Sequence, residues 1–159
     1  MKTKTLLLLV LFLSVQGWPA QKKKQLKKLG ITSVSCEETS GSVTVKNSKT
    51  LFNAAGKISE EIHYTDEGVL KSSVRYKYNA QGDIAQEIEF NDKNVIVQIK
   101  KNSYNTSGLK TAELFLSRDN KLLKKHLYTY NAKGLKTERG TYDAAGKLIS
   151  TKRYSYAYH

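Results

Sequence analysis

The chain of 159 residues holds a single cysteine, Cys36, so no disulfide can close within it. A lone thiol without a pairing partner or an activating histidine reads as free and unreactive. Histidine is scarce as well: His63, His126 and His159 show no metal-type spacing, and one cysteine cannot complete a zinc ligand set. There is no phosphate-cradling glycine loop, no nucleophile elbow and no zinc-protease motif. Adjacent carboxylates such as Glu60 and Glu61 would face opposite sides of a strand and cannot act as a pair. These absences predict a protein without catalytic activity, metal or cofactor.

Arginine is limited to Arg75, Arg118, Arg139 and Arg153 among 27 basic residues. Its planar fork dominates phosphate and base recognition, so specific nucleic-acid binding is not expected. The lysine excess suits solubility or an anionic surface, such as acidic polysaccharide or lipid headgroups. Long apolar runs are also missing. The only such stretch, Leu6 to Val15, follows Lys2 and Lys4 and precedes the small residues Gly17 and Ala20. It falls short of the ~20 residues that span a bilayer, so residues 1–20 read as an export leader cut after Gly17 or Ala20. No membrane-spanning segment is expected after it, and the destination is periplasm, cell surface or medium. Without Lys2 and Lys4 the chain carries 25 basic and 14 acidic residues, a net of +11. Residues 21–50 read as a flexible basic arm, dense in Lys22, Lys23, Lys24, Lys27 and Lys28, with Ser42 to Lys46 as a candidate first strand.

What the chain does have is a repeat. Phe52, Tyr64, Tyr78, Phe90, Tyr104, Leu116, Tyr130 and Tyr142 are spaced alternately 12 and 14 apart, giving four copies of 26 residues that start at 52, 78, 104 and 130. After each anchor comes a turn tetrad ending on Gly56, Gly68, Gly82, Asn94, Gly108, Asn120, Gly134 or Gly146. Asn or Asp opening a tight turn with Gly three residues on is type I chemistry. Asn, the only substitute for Gly in the series, is the next best residue at positive φ. Segments of eight to ten residues between turns suit strands rather than stable helices.

Within those segments apolar residues fall on even numbers, as in Ile58, Ile62, Tyr64, then Val74, Tyr76, Tyr78, then Ile84, Ile88, Phe90. Since 12 and 14 are both even, one tyrosine-rich apolar face, including Tyr76, Ile88 and Tyr128, is expected to persist from strand to strand. The fold class is therefore all-β: an antiparallel meander of about eight or nine hairpin-connected strands over residues 51–159. One apolar face must be buried, so the sheet is expected to curl or spiral on itself, with a closed up-and-down barrel as the alternative.

Arg75-Tyr76-Lys77-Tyr78-Asn79-Ala80-Gln81-Gly82 and Leu127-Tyr128-Thr129-Tyr130-Asn131-Ala132-Lys133-Gly134 resemble the Tyr-x-Tyr-Asp-x-x-Gly core of the YD-repeat, Rhs-type family. The resemblance covers residues 52–158. Large members of that family build coiled shells around toxins or themselves form adhesion modules, and many are described as carbohydrate-binding. Here Asn replaces Asp in most turns and the array is short. The resemblance thus implies an exported, non-catalytic repeat module at the bacterial envelope rather than a shell.

Candidate binding residues come from the odd positions. Val95, Val97, Ile99, Phe115, Leu123 and Leu127 lie on three consecutive strands and are expected to meet as an outer apolar patch. Either Leu26, Leu29 or Ile31 covers that patch, or it receives a second copy or a partner. Among the histidines, His126 is expected to pack and His63 to face solvent. Most tyrosines are expected to fill the core, with Tyr154, Tyr156 and Tyr158 exposed at the terminal edge. The functional expectation is a binding or structural module for a glycan or protein partner. The alternative is a barrel storing an apolar ligand.

Overall fold

The computed structural model describes residues 20–157; most of the expected leader, Tyr158 and His159 lie outside them. One helix, α1 (Ala20–Lys28), precedes ten strands: β1 (Ser33–Ser40), β2 (Val43–Phe52), β3 (Ile58–Tyr64), β4 (Leu70–Tyr78), β5 (Ile84–Asn91), β6 (Ile96–Tyr104), β7 (Lys110–Leu116), β8 (Leu122–Tyr130), β9 (Lys136–Asp143) and β10 (Leu148–Arg153). They form one antiparallel sheet in simple chain order. The fold is the expected all-β meander. The candidate strand at Ser42 to Lys46 is the start of β2, and β1 adds a hairpin that the residue pattern did not reveal.

The lysine-rich segment is not an arm. It forms α1, whose last turn carries Lys27 and Lys28 where the helix dipole favours cations. The helix closes on Gly30, with Ile31 N–H donating to Leu26 C=O at 3.0 Å and Gly30 N–H to Lys27 C=O at 3.2 Å. Leu26 anchors it by packing with Phe52 and Ile58, and Ile31 and Tyr76 lean on the same cluster.

Every repeat turn has the same hydrogen-bond plan. In the eight five-residue loops 53–57, 65–69, 79–83, 91–95, 105–109, 117–121, 131–135 and 143–147, the first N–H donates to the fifth C=O and the fourth N–H to the first C=O, at 2.8–3.1 Å. The first residue's side-chain oxygen also accepts the fifth residue's N–H: Asn53, Thr65, Asn79, Asn91, Asn105, Ser117, Asn131 and Asp143 all serve. The fourth residue takes positive φ throughout, including Asn94 at 56° and Asn120 at 59°.

Past each turn the pairing slips by one residue, leaving Ser59, Lys71, Ala85, Val97, Thr111, Leu123, Thr137 and Ile149 unopposed. Each slip is a β-bulge, and it overturns the single even-numbered face. Tyr76 opposes Glu87, whereas Arg75 opposes Ile88. Even residues of β4, β6 and β8 therefore share a side with odd residues of β5, β7 and β9. Tyr76 and Tyr128 lie on one side, termed the front, and Ile88 lies on the back. The repeat anchors divide likewise. Phe52, Tyr78, Tyr104 and Tyr130 close one end of the sheet on the front, while Tyr64, Phe90, Leu116 and Tyr142 close the other end on the back.

Tyrosine hydroxyls tie the front of the first end together. Tyr78, Tyr104, Tyr130 and Tyr156 donate to the carbonyls of Ile58, Ile84, Lys110 and Lys136 at 2.7–2.9 Å, each twenty residues back. Burial, with nearby carboxylates, pushes the Tyr78 and Tyr104 hydroxyls up to about 12. Tyr78, Tyr104 and Tyr130 are thus half-buried cross-strand ties, and Tyr156 is an exposed one. On the back, Ile88, Ile99 and Leu116 oppose one another in a row, and the Arg75 guanidinium lies 4.4 Å from the centre of the Phe90 ring. Lysine and arginine stems cover apolar rings and leave their charges in water.

The sheet is not closed: β1 and β10 are its two edges, and strands touch only their neighbours in sequence. The barrel alternative, and the stored apolar ligand that needs its interior, are therefore corrected. Stagger is present. Directly opposed residues run Tyr76, Glu87, Lys100, Phe115, Lys124, ending four residues short of Tyr128, the repeat equivalent of Tyr76. Closure nevertheless lacks a driving force, because the bulges give each face a mixture of charged and apolar groups.

The turns make a direct stability prediction. Asn94→Gly should raise the unfolding free energy measured by urea titration by up to about 1 kcal/mol, because it relieves positive-φ strain. Gly146→Ala, whose added Cβ meets nothing within 4 Å, should cost about 1–2 kcal/mol from backbone strain alone.

Candidate functional site: a polar lattice and a cleft on the front face

The front face carries a second 26-residue series, Glu61, Glu87, Glu113 and Arg139, on alternate strands. Another follows at Tyr76, Asn102, Tyr128 and Tyr154. Residues of the two series meet across the first three hairpins: Tyr76 Oη–H donates to Glu61, Asn102 Nδ2 to Glu87 at 3.4 Å, and Tyr128 Oη–H to Glu113. Lys100 Nζ stands 2.7 Å from Glu87, Lys110 Nζ 2.8 Å from Glu113, and His126 Nδ1 3.1 Å from Glu113. Burial raises the Glu113 carboxyl, but Lys110, Tyr128 and His126 outweigh it and hold the group at about 2. Burial, then the facing carboxylates, push the Tyr76 and Tyr128 hydroxyls well above their ordinary range. The glutamates, Tyr76 and Tyr128 satisfy one another, which explains them as cross-strand ties.

Two copies depart from the lattice. The fourth places Arg139 where the others place glutamate, and its Nε, shielded from solvent, has no hydrogen-bond partner among the described residues. The second departs at two positions. Where three copies place tyrosine, the second hairpin places Asn102. Where the others place Lys57, Leu109 and Leu135 at the fifth turn position, it places the short Asp83. In the neighbouring copies that fifth side chain closes against the next turn's glycine. Lys57 Nζ donates to Gly82 C=O at 3.0 Å, and a Cβ on Gly134 would lie 3.8 Å from Leu109. A Cβ on Gly108, which Asp83 should cover, would meet nothing within 4 Å. Both departures open onto the same shallow cleft of about 340 Å³, lined by Asn79, Gln81, Asp83, Ala85, Asn102, Tyr104, Asn105, Thr106 and Gly108. Asn102 donates its amide to Ile84 C=O at 2.8 Å, while its Oδ1, shielded from solvent, has no hydrogen-bond partner among the described residues. Residue-pattern reasoning missed this site. Its signal was there, in comparing the copies position by position rather than tracing only what recurs.

The apolar patch expected at odd positions is only partly assembled. Val97, Ile99 and Leu127 fall on the back, and Ile99 is buried between Ile88 and Leu116. Phe115 lies on the front instead, with Lys124 Nζ 4.7 Å from its ring centre and His126 edge-on at 4.8 Å. Val95, Val97 and Leu123 are exposed where the turns gather, beside Val69 and Ile149. None of the expected covering residues reaches them: Leu26 and Ile31 pack at the opposite end, and Leu29 is exposed. His63 is exposed, His126 half-buried, and Tyr154 and Tyr156 are exposed as expected. Glu60 pairs with Arg75 on the back while Glu61 serves the front. Cys36 is free and exposed. Among the described residues no helix is long and apolar enough to cross a membrane.

No protein-family model matches the chain, and no curated protein matches it. Among solved structures, a protein of unknown function from Bacteroides fragilis is 13% identical, with 80% of this chain and 95% of that one covered at a TM-score of 0.43. A porin-like protein from Bacteroides uniformis is 14% identical, with 76% and 49% covered at 0.41. The protein TarM is 14% identical over 81% of this chain and 23% of its own, at 0.32. Likenesses at this level carry no argument about activity or partners.

The Glu113 cluster has a pH signature. Its folded-state carboxyl sits near 2, below the ordinary 4.5, so its contribution is complete above about pH 4.5 and lost as pH falls toward 2. That contribution is at most about 3 kcal/mol and is reduced by solvent screening of this partly accessible group. Glu113→Gln should lower stability at pH 7 and flatten the acid limb of the stability profile, measured by urea unfolding from pH 2 to 7.

Proposed function

We propose that the protein is a non-catalytic glycan-binding module, exported to the bacterial envelope and of YD-repeat character. The observation that carries the glycan reading is the Asn102 cleft. Two departures within the second copy converge on one opening, and its lining suits a sugar. Gln81, Asn105 and Thr106 offer amides and a hydroxyl, and Tyr104 offers a ring. Such groups pair with the alternating donors and acceptors of a pyranose, and the carboxylate of Asp83 disfavours an anionic one. The volume lies at the lower end of ligand clefts, ~300–1,000 Å³, which fits a sugar unit rather than a long chain. Export and envelope placement rest on the leader-like residues 1–20 and on the family resemblance of the repeats.

Refilling the cleft as the neighbouring copies fill it tests the reading. Asp83→Leu with Asn102→Tyr should preserve or raise thermal stability while abolishing binding of neutral oligosaccharides, read by saturation-transfer NMR with glucose, galactose and N-acetylglucosamine oligomers. If the refilled protein binds these probes as well as the parent does, or the parent binds none of them, the glycan reading fails.

A further inference from the structure

Both sheet edges are open among the described residues, and they carry opposite charge. β1 presents Glu37 and Glu38, and β10 presents Lys152 and Arg153. The faces on which these side chains lie follow from the pairing. Lys152 opposes Arg139 on the front and Arg153 opposes Glu138 on the back. On the first edge, Ser33 opposes Leu51 and Leu51 opposes Glu60, a back-face residue. The bulge in this hairpin leaves Asn47 of β2 unopposed and β1 uninterrupted, so by alternation Glu37 is on the back and Glu38 on the front. The strand directions also agree, since β10 runs opposite to β1 and an antiparallel joint would continue the meander.

We propose that copies of this chain join head to tail, β10 of one against β1 of the next, in the register that sets Lys152 opposite Glu38 and Arg153 opposite Glu37. That single register matches both charge pairs on their proper faces, and it places Thr151 opposite Thr39. Cross-strand acid–base pairs of this kind already recur inside the sheet. Glu60 pairs with Arg75 at 2.9 Å, Glu87 with Lys100 at 2.7 Å and Glu138 with Arg153 at 3.2 Å. Arg153 already leans on Glu138 with 81% of its side chain exposed, so a second carboxylate can reach it. An exposed edge is a template for another strand, and lysine on an edge normally deters pairing. Here the deterrent on one edge is complementary to the other. Because the two joined edges differ, the contact does not close on itself and builds open rows.

The test uses protein produced from the whole chain, followed by light scattering across a concentration series. The mean mass should rise through the dimer without a plateau at low salt and shrink in about 1 M salt, where charges are screened within ~3 Å. The double variants Glu37→Lys/Glu38→Lys and Lys152→Glu/Arg153→Glu should each remain monomeric with an unchanged circular-dichroism spectrum. Mixed in equal amounts they should assemble again, since each joint then brings opposite charges together. A parent that stays monomeric, an assembly that stops at two, or a mixture that stays monomeric would each overturn the proposal. Oligosaccharide binding by the monomeric variants is scored separately, so loss of assembly and loss of the glycan reading remain distinguishable.

Discussion

The structure depends on a conformational constraint repeated eight times: the fourth loop residue must sit at positive φ, and the strand that follows must absorb one residue in a bulge. The positive φ reverses the chain within five residues and admits the paired backbone hydrogen bonds of each loop. The bulge then rotates the next strand by one position, which sends its even-numbered side chains to the other side. The split of anchors between front and back, and the stagger of one residue per strand, follow from that joint. So does the pairing of Tyr78 with the Ile58 carbonyl and its three repeat equivalents, because a bulge leaves a strand-end carbonyl within reach of a hydroxyl.

A sheet built this way does not separate into a greasy side and a wet side. Stability is spread over many modest cross-strand contacts, such as the Ile88–Ile99–Leu116 row, the guanidinium of Arg75 over Phe90 and the hydroxyl of Tyr128 on Glu113. Each element is half-exposed, and only a few side chains such as Ile99 and Leu116 are buried. The same mixture explains why the strands do not roll into a barrel: neither face is apolar enough to be gathered inward. It also leaves both faces and both edges accessible, which is the setting in which the Asn102 cleft and the charged edges gain meaning.

The turns and strands were legible in the chain because Gly56 through Gly146 and the aromatic anchors report local backbone needs that no distant contact alters. The faces were not. Parity counting assumes uninterrupted alternation, and a bulge is invisible to it: Val97, Leu123 and Ile149 look like ordinary outward residues until pairing shows them unopposed. Phe115 was misplaced for the same reason. The helix at Ala20–Lys28 was hidden by its own charge, since five lysines argue for disorder until Leu26 finds Phe52 and Ile58. The cleft was unread for a different reason. Asn102 and Asp83 are unremarkable residues singly, and they acquire significance only when folding brings their two shortened positions together.

Among the described residues, each strand pairs only with its immediate neighbours in the chain. No pairing joins the first of these strands to the last, so the number of strands is not dictated by closure. A duplicated or deleted hairpin pair would leave every surviving joint as it was, with free energy changing by roughly one unit and one interface. Lineages carrying this kind of ribbon can therefore lengthen or shorten it by in-frame steps of 26 residues, while a single copy, such as the one holding Asn102, drifts toward a role of its own.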